Sequence, residues 1–311
     1  MQFKTFVSVI GYTLISFVAT ESYARGYSDC RYDSRPAITF VEVQSVDLQT
    51  QQPLTVKGKL NVPVQKREHG KCHMAQSGRP AVVILHGSAG VDSRGDFYAR
   101  ALNAKGIATL EIDMWEARGI KTSADRPPLP AYTYPDAFAA LAFLSGYPGI
   151  DSDRIGVIGF SWGGVITMAS ATQGVSNQFG GGLRFKAHVA HYPICYVYNN
   201  PYIPDSQFGA HAGNPLTGAP ILIQIGEKDD YDESSAPCFA LKNTLAAEEK
   251  SLVEVVPYVG AYHDWDRLLV PVVSEDPFAH LGAGGVTHLI PSVGQAYQAQ
   301  EKAVRFFVRN L

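Results

Sequence analysis

The 311-residue sequence has little net charge and lacks the motifs of several large protein classes. Its formal charge of -3 at pH 7 gives no basic field, so we expect no nucleic-acid partner. The sequence has no H-E-x-x-H histidine pair and no glycine-rich phosphate loop, so it predicts neither a metal ion nor an organic cofactor. A hydrophobic content of 46% with 18% charged residues is typical of a soluble globular enzyme. No sequence pattern indicates an oligomeric state.

Long hydrophobic runs are missing except near the amino terminus. Lys4 precedes an apolar stretch from Phe6 to Ala19, and small residues follow in Ser22-Tyr23-Ala24. Polar residues interrupt this stretch before it reaches the roughly 20 apolar residues that a membrane anchor needs. The pattern is typical of a secretory leader. We therefore expect residues 1–24 to be a signal peptide, which would leave a secreted or periplasmic protein without stable membrane insertion.

Cysteine is scarce, with four residues in the chain. In an exported protein, an even number of cysteines favours disulfides over metal ligands. Cys195 follows a predicted strand and Cys238 opens the helix after the next strand, so adjacent parallel strands would bring the two together. That pairing leaves Cys30 with Cys72. The alternative is that the four thiols are free and buried.

Strand and helix patterns alternate through most of the chain. Residues 37–48 and 53–62 alternate as an edge hairpin does. Six strands are predicted near residues 81–86, 107–112, 154–159, 187–192, 221–226 and 252–258, and five helices near 95–105, 134–146, 162–173, 236–249 and 295–310. This order predicts an α/β fold with a doubly wound, mostly parallel sheet of about eight strands and helices on both faces. We expect one domain over residues 25–311, of which residues 25–79 form an N-terminal extension with the edge hairpin.

A candidate nucleophile follows the third of these six strands. The run Gly159-Phe160-Ser161-Trp162-Gly163 matches G-x-S-x-G, in which the glycines permit a tight turn from strand to helix. Such a turn exposes the serine hydroxyl at the carboxyl end of the sheet. The pattern predicts Ser161 as the nucleophile.

The loop after the first of the six strands is rich in small residues that can present backbone N–H groups. It reads His86-Gly87-Ser88-Ala89-Gly90. In a serine hydrolase of this kind, one oxyanion donor is the residue after the nucleophile and the other lies in such a loop. We therefore predict Trp162 and Ser88 as the donors, with Ala89 as the alternative to Ser88, and name residues 86–90 the oxyanion loop.

A candidate acid and base follow the last two strands. Asp229 lies three residues beyond the strand-ending Gly226, whereas Asp230 and Asp232 are expected to be solvated loop charges. His263 follows the last strand. The order serine, aspartate, histidine is that of the α/β hydrolases. The sequence therefore predicts Asp229 as the acid that orients His263, the general base.

Three long loops are expected to roof the site, over residues 114–130, 196–220 and 268–291. Trp115, Arg118 and Tyr192 are candidate substrate-binding residues, and Arg118 has the alternative of pairing with a neighbouring acid. The histidines at 86, 188 and 191 are expected to pack or form hydrogen bonds near the site, and those at 280 and 288 have no predicted role.

At these motifs, the chain resembles a secreted, serine-dependent branch of the dienelactone hydrolase-type α/β hydrolases over roughly residues 79–311. The resemblance implies Ser161, Asp229 and His263 as a catalytic triad. Dienelactone hydrolases proper have a cysteine nucleophile and a glutamate in the oxyanion loop, and Ser161 and Gly87 stand at those positions here. The resemblance therefore implies hydrolysis of a small-molecule ester or lactone rather than of dienelactone itself.

Three alternatives to an esterase stay open from the sequence. The same triad serves a peptidase or amidase, although no substrate-sizing domain precedes the core. An acyltransferase would use an alcohol in place of water. A non-catalytic binding protein on this fold is the third alternative, and covalent labelling by a fluorophosphonate would distinguish it.

Overall fold

A computed structural model describes residue 32 and residues 35–64, 78–203 and 206–311. The predicted leader, residues 1–24, lies outside the described residues. So does the predicted Cys30–Cys72 pair. No helix in the described ranges has the length and apolar character to cross a membrane.

An eight-stranded sheet forms the centre of the molecule, in the order β1-β2-β4-β3-β5-β6-β7-β8. Antiparallel pairs join β1 to β2 and β2 to β4, and every other neighbouring pair is parallel. The strands are β1 (Ala37–Asp47), β2 (Gln52–Val62), β3 (Arg79–Leu85), β4 (Ala108–Asp113), β5 (Ile150–Phe160), β6 (His188–His191), β7 (Ile221–Lys228) and β8 (Val253–Tyr262). The predicted edge hairpin and the predicted α/β-hydrolase sheet are therefore confirmed.

Helices cover both faces of this sheet. They are α1 (Ser93–Asn103), α2 (Tyr134–Ser145), α3 (Trp162–Ser170), α4 (Gln173–Phe179), α5 (Ala236–Thr244), α6 (Ala247–Leu252), α7 (Ala279–Gly282) and α8 (Val293–Asn310). Side chains alternate along β3, so Val82 and Ile84 pack in one core cluster with α1 and α8. Val83 and Leu85 pack in a second cluster with α2. This two-sided burial explains why β3 is an uninterrupted apolar run in the sequence.

Two sequence predictions of secondary structure were wrong in detail. The helix predicted over 236–249 is divided into α5 and α6, with Leu245 and Ala246 extended between them. The third long loop contains a small antiparallel sheet of β9 (Val272–Asp276) and β10 (Gly285–Leu289). These strands are short and mostly exposed or half-buried, so the pattern of buried residues that predicts a strand is absent from them.

Candidate active site

Ser161 occupies the turn between β5 and α3 in a strained backbone conformation. Its φ of 50° and ψ of -107° lie outside the regions that side-chain-bearing residues favour. A Cβ at Gly159 would collide with the carbonyl oxygen of Gly163, and one at Gly163 would collide with the carbonyl oxygen of Leu85. Both glycines are therefore required for this turn. The geometry is that of a nucleophile elbow.

The structure brings the three predicted triad residues together. His263 Nε2 lies 2.9 Å from Ser161 Oγ, and His263 Nδ1 lies 2.7 Å from Asp229 Oδ2. The three side chains come from the ends of β5, β7 and β8, and all three are buried. One imidazole therefore bridges a hydroxyl and a carboxylate, which is the arrangement that activates a serine.

Two opposing effects act on the pKa of His263. Burial lowers the pKa of the imidazole, while the charge of Asp229 and its hydrogen bond raise it, and the net direction is upward from 6.5. The rings of Tyr231 and Tyr192 flank the imidazole with centroids 4.3 and 4.7 Å away. Asp229 therefore favours the protonated form that arises when the histidine accepts the serine proton.

The loop after β7 holds a second buried carboxylate that the sequence interpretation placed in solvent. Asp232 is 1% exposed, and its oxygens accept hydrogen bonds from the backbone N–H groups of Cys195 (2.7 Å) and Tyr196 (2.8 Å). Burial and the nearby Asp229 raise the pKa of Asp232 to about 7. The expectation of a solvated charge was wrong because two N–H groups from another loop replace water around this carboxylate.

Asp230 takes no part in the contacts of the triad. Its carboxylate accepts from the backbone N–H of His288 at 2.6 Å and lies 3.1 Å from His288 Nδ1. His280 Nδ1 pairs with Glu233. These contacts attach the β9–β10 sheet to the loop that carries Asp229, which gives both histidines a structural partner.

The predicted oxyanion donors both line the cleft next to Ser161. The N–H of Trp162 is the first of α3, and first-turn N–H groups have no partner within their helix. Ser88 follows Gly87 in a turn closed by the hydrogen bond from Gly90 N–H to Gly87 O, 3.0 Å long. Ser88 and Trp162 both line the cleft with Ser161, so their N–H groups stay the candidate oxyanion donors.

His86 connects the oxyanion loop to the end of β4 through two hydrogen bonds. Its Nε2 accepts from the backbone N–H of Met114 at 2.9 Å, so Nδ1 carries the proton that is donated to Gly87 O at 2.8 Å. Burial lowers the pKa of His86, which agrees with a neutral ring. The predicted packing role of this histidine is therefore what the contacts show.

Trp115 and Arg118 do not line the cleft, contrary to the substrate-binding role predicted for them. The indole N–H of Trp115 donates to Ser88 O at 3.0 Å, so this side chain supports the backbone of the oxyanion loop. Arg118 Nη1 pairs with the buried Asp136 at 2.7 Å. The second interpretation of Arg118, pairing with a neighbouring acid, is the one that the structure supports.

Tyr192 is also absent from the cleft, because it is fully buried in an ion network that the sequence interpretation missed. Its hydroxyl accepts from Arg94 Nη1 at 2.9 Å and donates to Asp266. Arg94 is 1% exposed and pairs with Asp92 and Asp264. The available signal was the pair of acids that follows His263, Asp264 and Asp266, together with an arginine just beyond the oxyanion loop.

The cleft beside Ser161 is mainly apolar. All three predicted roof loops contribute to it, through Arg126 and Leu129, through Tyr198 and Ile203, and through Asp276 and Phe278. Its other apolar walls include Val165, Ile194 and Val197. Such a surface suits an apolar group next to the reacting bond.

A disulfide joins Cys195 to Cys238, with Cα atoms 5.0 Å apart, as the sequence predicted. It links the loop after β6 to the start of α5. The same loop supplies the N–H groups that bind Asp232 and carries Ile194 and Val197 of the cleft wall. The bond therefore fixes one wall of the cleft next to the loop after β7, which carries Asp229 and Asp232.

Fold and geometry together define an α/β hydrolase scaffold with a serine at its elbow. The family model described as the alpha/beta hydrolase family matches residues 82–308. The chain belongs to this family. No curated protein is matched by the sequence.

Several solved structures share the fold. The dienelactone hydrolase of Anabaena variabilis is 18% identical with a TM-score of 0.55, over 89% of this chain and 99% of that one. The esterase of Pyrobaculum calidifontis is 16% identical with a TM-score of 0.54, over 88% and 85% of the chains. Esterase 2 of Thermogutta terrifontis, bearing a phosphoryl group from paraoxon, is 15% identical with a TM-score of 0.57, over 88% and 94%. At these identities the likeness concerns the fold.

Proposed function

We propose that the protein is a serine hydrolase of carboxylic esters or lactones, similar to the dienelactone hydrolases, that works through an acyl-enzyme on Ser161. The observation that carries the proposal is the continuous hydrogen-bonded path from Ser161 Oγ through His263 to Asp229. The path ends at a serine in a strained elbow, and the cleft beside it has apolar walls. The names of the structural relatives, dienelactone hydrolase and esterase, also support this chemistry.

The reaction follows from the placement of these groups. His263 accepts the proton of Ser161 Oγ as the oxygen bonds to the ester carbonyl carbon, and Asp229 stabilises the resulting imidazolium. The N–H groups of Trp162 and Ser88 stabilise the oxyanion. The imidazolium then delivers its proton to the leaving alcohol, and water activated by His263 releases the acid and regenerates the serine.

Hydrolysis of p-nitrophenyl esters from acetate to palmitate, by the wild type and by Ser161→Ala, tests the proposal. We expect the wild type to favour one range of chain lengths, and the variant to lose about four orders of magnitude in kcat or more. Paraoxon should label the wild type and not the variant, as the phosphorylated Thermogutta esterase suggests. A folded wild type that neither hydrolyses esters or lactones nor becomes labelled would refute the proposal.

We further propose that the enzyme is exported. The leader-like residues 1–24 support this, as does the Cys195–Cys238 bond, because disulfides persist mainly in oxidising compartments. The mass of the chain recovered from the periplasm and medium of a bacterial host checks this. We expect a chain that begins at Arg25, and an intact chain retained in the cytoplasm would contradict export.

A further inference from the structure

One ion pair lies in the wall of the cleft. Arg126 Nη2 is 3.0 Å from Asp276 Oδ2, and the side chains are 14% and 12% exposed. Both residues line the cleft together with Ser161, and among the described residues that line it they are the only charged ones. The two come from different roof loops, the first from the loop between β4 and α2 and the second from the end of β9.

Further contacts hold both charges in place. Arg126 Nη1 donates to Ser123 O at 3.1 Å, and the guanidinium lies over the Trp162 ring at 5.7 Å from its centroid. The second oxygen of Asp276 accepts from Phe278 N–H at 2.9 Å. Each charge is therefore paired within the protein before a substrate enters.

The other arginines close to the site are also neutralised. Arg94 pairs with two aspartates, Arg118 with Asp136, and Arg267 Nε lies 3.4 Å from an oxygen of Asp92. In the described part of the site, no arginine is thus available to receive the carboxylate of an anionic substrate.

We infer that the Arg126–Asp276 pair leaves the cleft selective for esters that are neutral on both sides of the scissile bond, because each member cancels the attraction of the other for a charged substrate. The inference rests on the proposed esterase function. An anionic group that enters the cleft loses water, meets the repulsion of Asp276, and finds Arg126 already paired. A cationic group also loses water, meets the repulsion of Arg126, and finds Asp276 already paired. A neutral alkyl group gains apolar burial without these costs.

Single-charge variants provide the test because they leave one charge without its partner. Asp276→Asn exposes the Arg126 cation to the substrate, and Arg126→Gln exposes the Asp276 anion. The double variant removes both charges and restores neutrality. Asp125→Asn is the matched control, since this exposed acid lies next to Arg126 in sequence but does not line the cleft.

Two substrate series cover the two sides of the ester. For the acyl side, p-nitrophenyl pentanoate is compared with mono-p-nitrophenyl succinate and with p-nitrophenyl 4-(trimethylammonio)butanoate. For the alcohol side, 4-methylphenyl acetate is compared with 4-acetoxybenzoate. The readout is the ratio of kcat/KM for each charged ester to that for its neutral partner, which cancels changes common to all substrates.

We expect the wild type to prefer the neutral ester in each comparison. Asp276→Asn should raise the anionic-to-neutral ratio by about tenfold in at least one series, and Arg126→Gln should raise the cationic-to-neutral ratio similarly. The double variant and Asp125→Asn should keep the wild-type ratios to within about twofold.

Failure of the inference and failure of the proposed function give different results. A wild type that hydrolyses the neutral esters, with single variants whose ratios stay unchanged in both series, overturns the inference alone. The same holds if the double variant shifts the ratios as much as the single variants do, because a loosened loop would then be the cause. A wild type without activity on every ester overturns the proposed function.

Discussion

Asp229 is the residue on which the proposed base depends most directly. Without the carboxylate, the charge and the hydrogen bond that raise the pKa of His263 are lost, while burial, the largest influence, still lowers it. An amide at this position also presents an N–H to Nδ1 and favours the wrong tautomer. We expect Asp229→Asn to reduce kcat by about 10⁴-fold.

The pH profile tests the same variant independently of its rate. Since the neutral imidazole is the active form, kcat/KM of the wild type should rise with pH through a pKa above 6.5. In Asp229→Asn, the residual activity should rise at lower pH instead. Asp230→Asn is the control, because Asp230 contacts His288 and should leave both rate and profile near those of the wild type. An equal loss of kcat in the two variants would contradict the assignment of Asp229 as the acid.

The elbow between β5 and α3 requires glycine for reasons of space. Gly163→Ala would place a methyl group against the carbonyl of Leu85. This carbonyl belongs to a central strand, so its backbone cannot shift without disturbing the sheet. We expect a loss of about 1–3 kcal/mol in the free energy of unfolding, as overpacking of a core typically costs. Urea denaturation monitored by circular dichroism measures this change.

Gly294→Ala is the matched comparison for the elbow variant. Gly294 lies in the first turn of α8, and nothing lies within 4 Å of the Cβ that the substitution adds. Alanine should stabilise this helix by about 0.5–1 kcal/mol. Opposite signs for the two substitutions are the expected result, and a destabilised Gly294→Ala beside an unaffected Gly163→Ala would contradict the steric argument.

The Cys195–Cys238 disulfide connects the stability of an element to the shape of the cleft. The bond spans 43 residues of sequence, and loss of such a cross-link typically costs about 2–4 kcal/mol. We expect the double variant Cys195→Ala/Cys238→Ala to lose stability in this range and to show a raised KM, because Ile194 and Val197 lose their anchor. Thermal unfolding and ester kinetics measure the two effects.

Chemical reduction provides the control for the disulfide. Dithiothreitol should bring the wild type to the melting temperature of the double variant and leave that variant unchanged. If the wild type keeps its melting temperature after its thiols have been shown by titration to be reduced, the bond contributes nothing to stability.

Sequence patterns predicted the large elements well because burial leaves a strong periodic signal. The run that forms β3 and the motif around Ser161 are set by local sterics, so their positions could be predicted without tertiary information. The β9–β10 sheet could not, because its residues are half exposed and its pairing depends on contacts with the loop after β7.

Within the site, prediction succeeded for residues whose type and order define the chemistry and failed for those whose role depends on a distant partner. Ser161, Asp229 and His263 could be named from their positions at strand ends. Asp232 and Arg126 could not, since the N–H groups and the carboxylate that hold them come from other loops.

At the scale of the whole molecule, the buried ion network connects the two loops that the proposed chemistry requires. Arg94 lies just beyond the oxyanion loop, and its guanidinium reaches Asp264, the neighbour of His263. Ser93 Oγ also donates to the backbone of Arg267. These contacts join segments about 170 residues apart in the chain. The network thus ties the oxyanion loop to the segment that follows His263.

Removal of the cation from this network should affect stability and turnover together. Arg94→Met leaves Asp92 and Asp264 buried without their main partner, which typically costs about 3–5 kcal/mol in the free energy of unfolding. Because Arg94 donates to the Tyr192 hydroxyl and the Tyr192 ring lies against His263, kcat should fall more than KM rises. Urea denaturation and ester kinetics on the same preparation measure both.

Two further substitutions separate positioning from general loss of charge. Arg94→Lys keeps the charge but not the planar fork, so it should recover part of the stability and only part of kcat. Arg100→Met removes an exposed cation from the same helix and should change both quantities little. If Arg94→Met folds as stably as the wild type and turns over esters at the same rate, the network neither stabilises the fold nor positions the base. If instead it loses stability but keeps kcat, the two loops hold their separation through the backbone contacts alone.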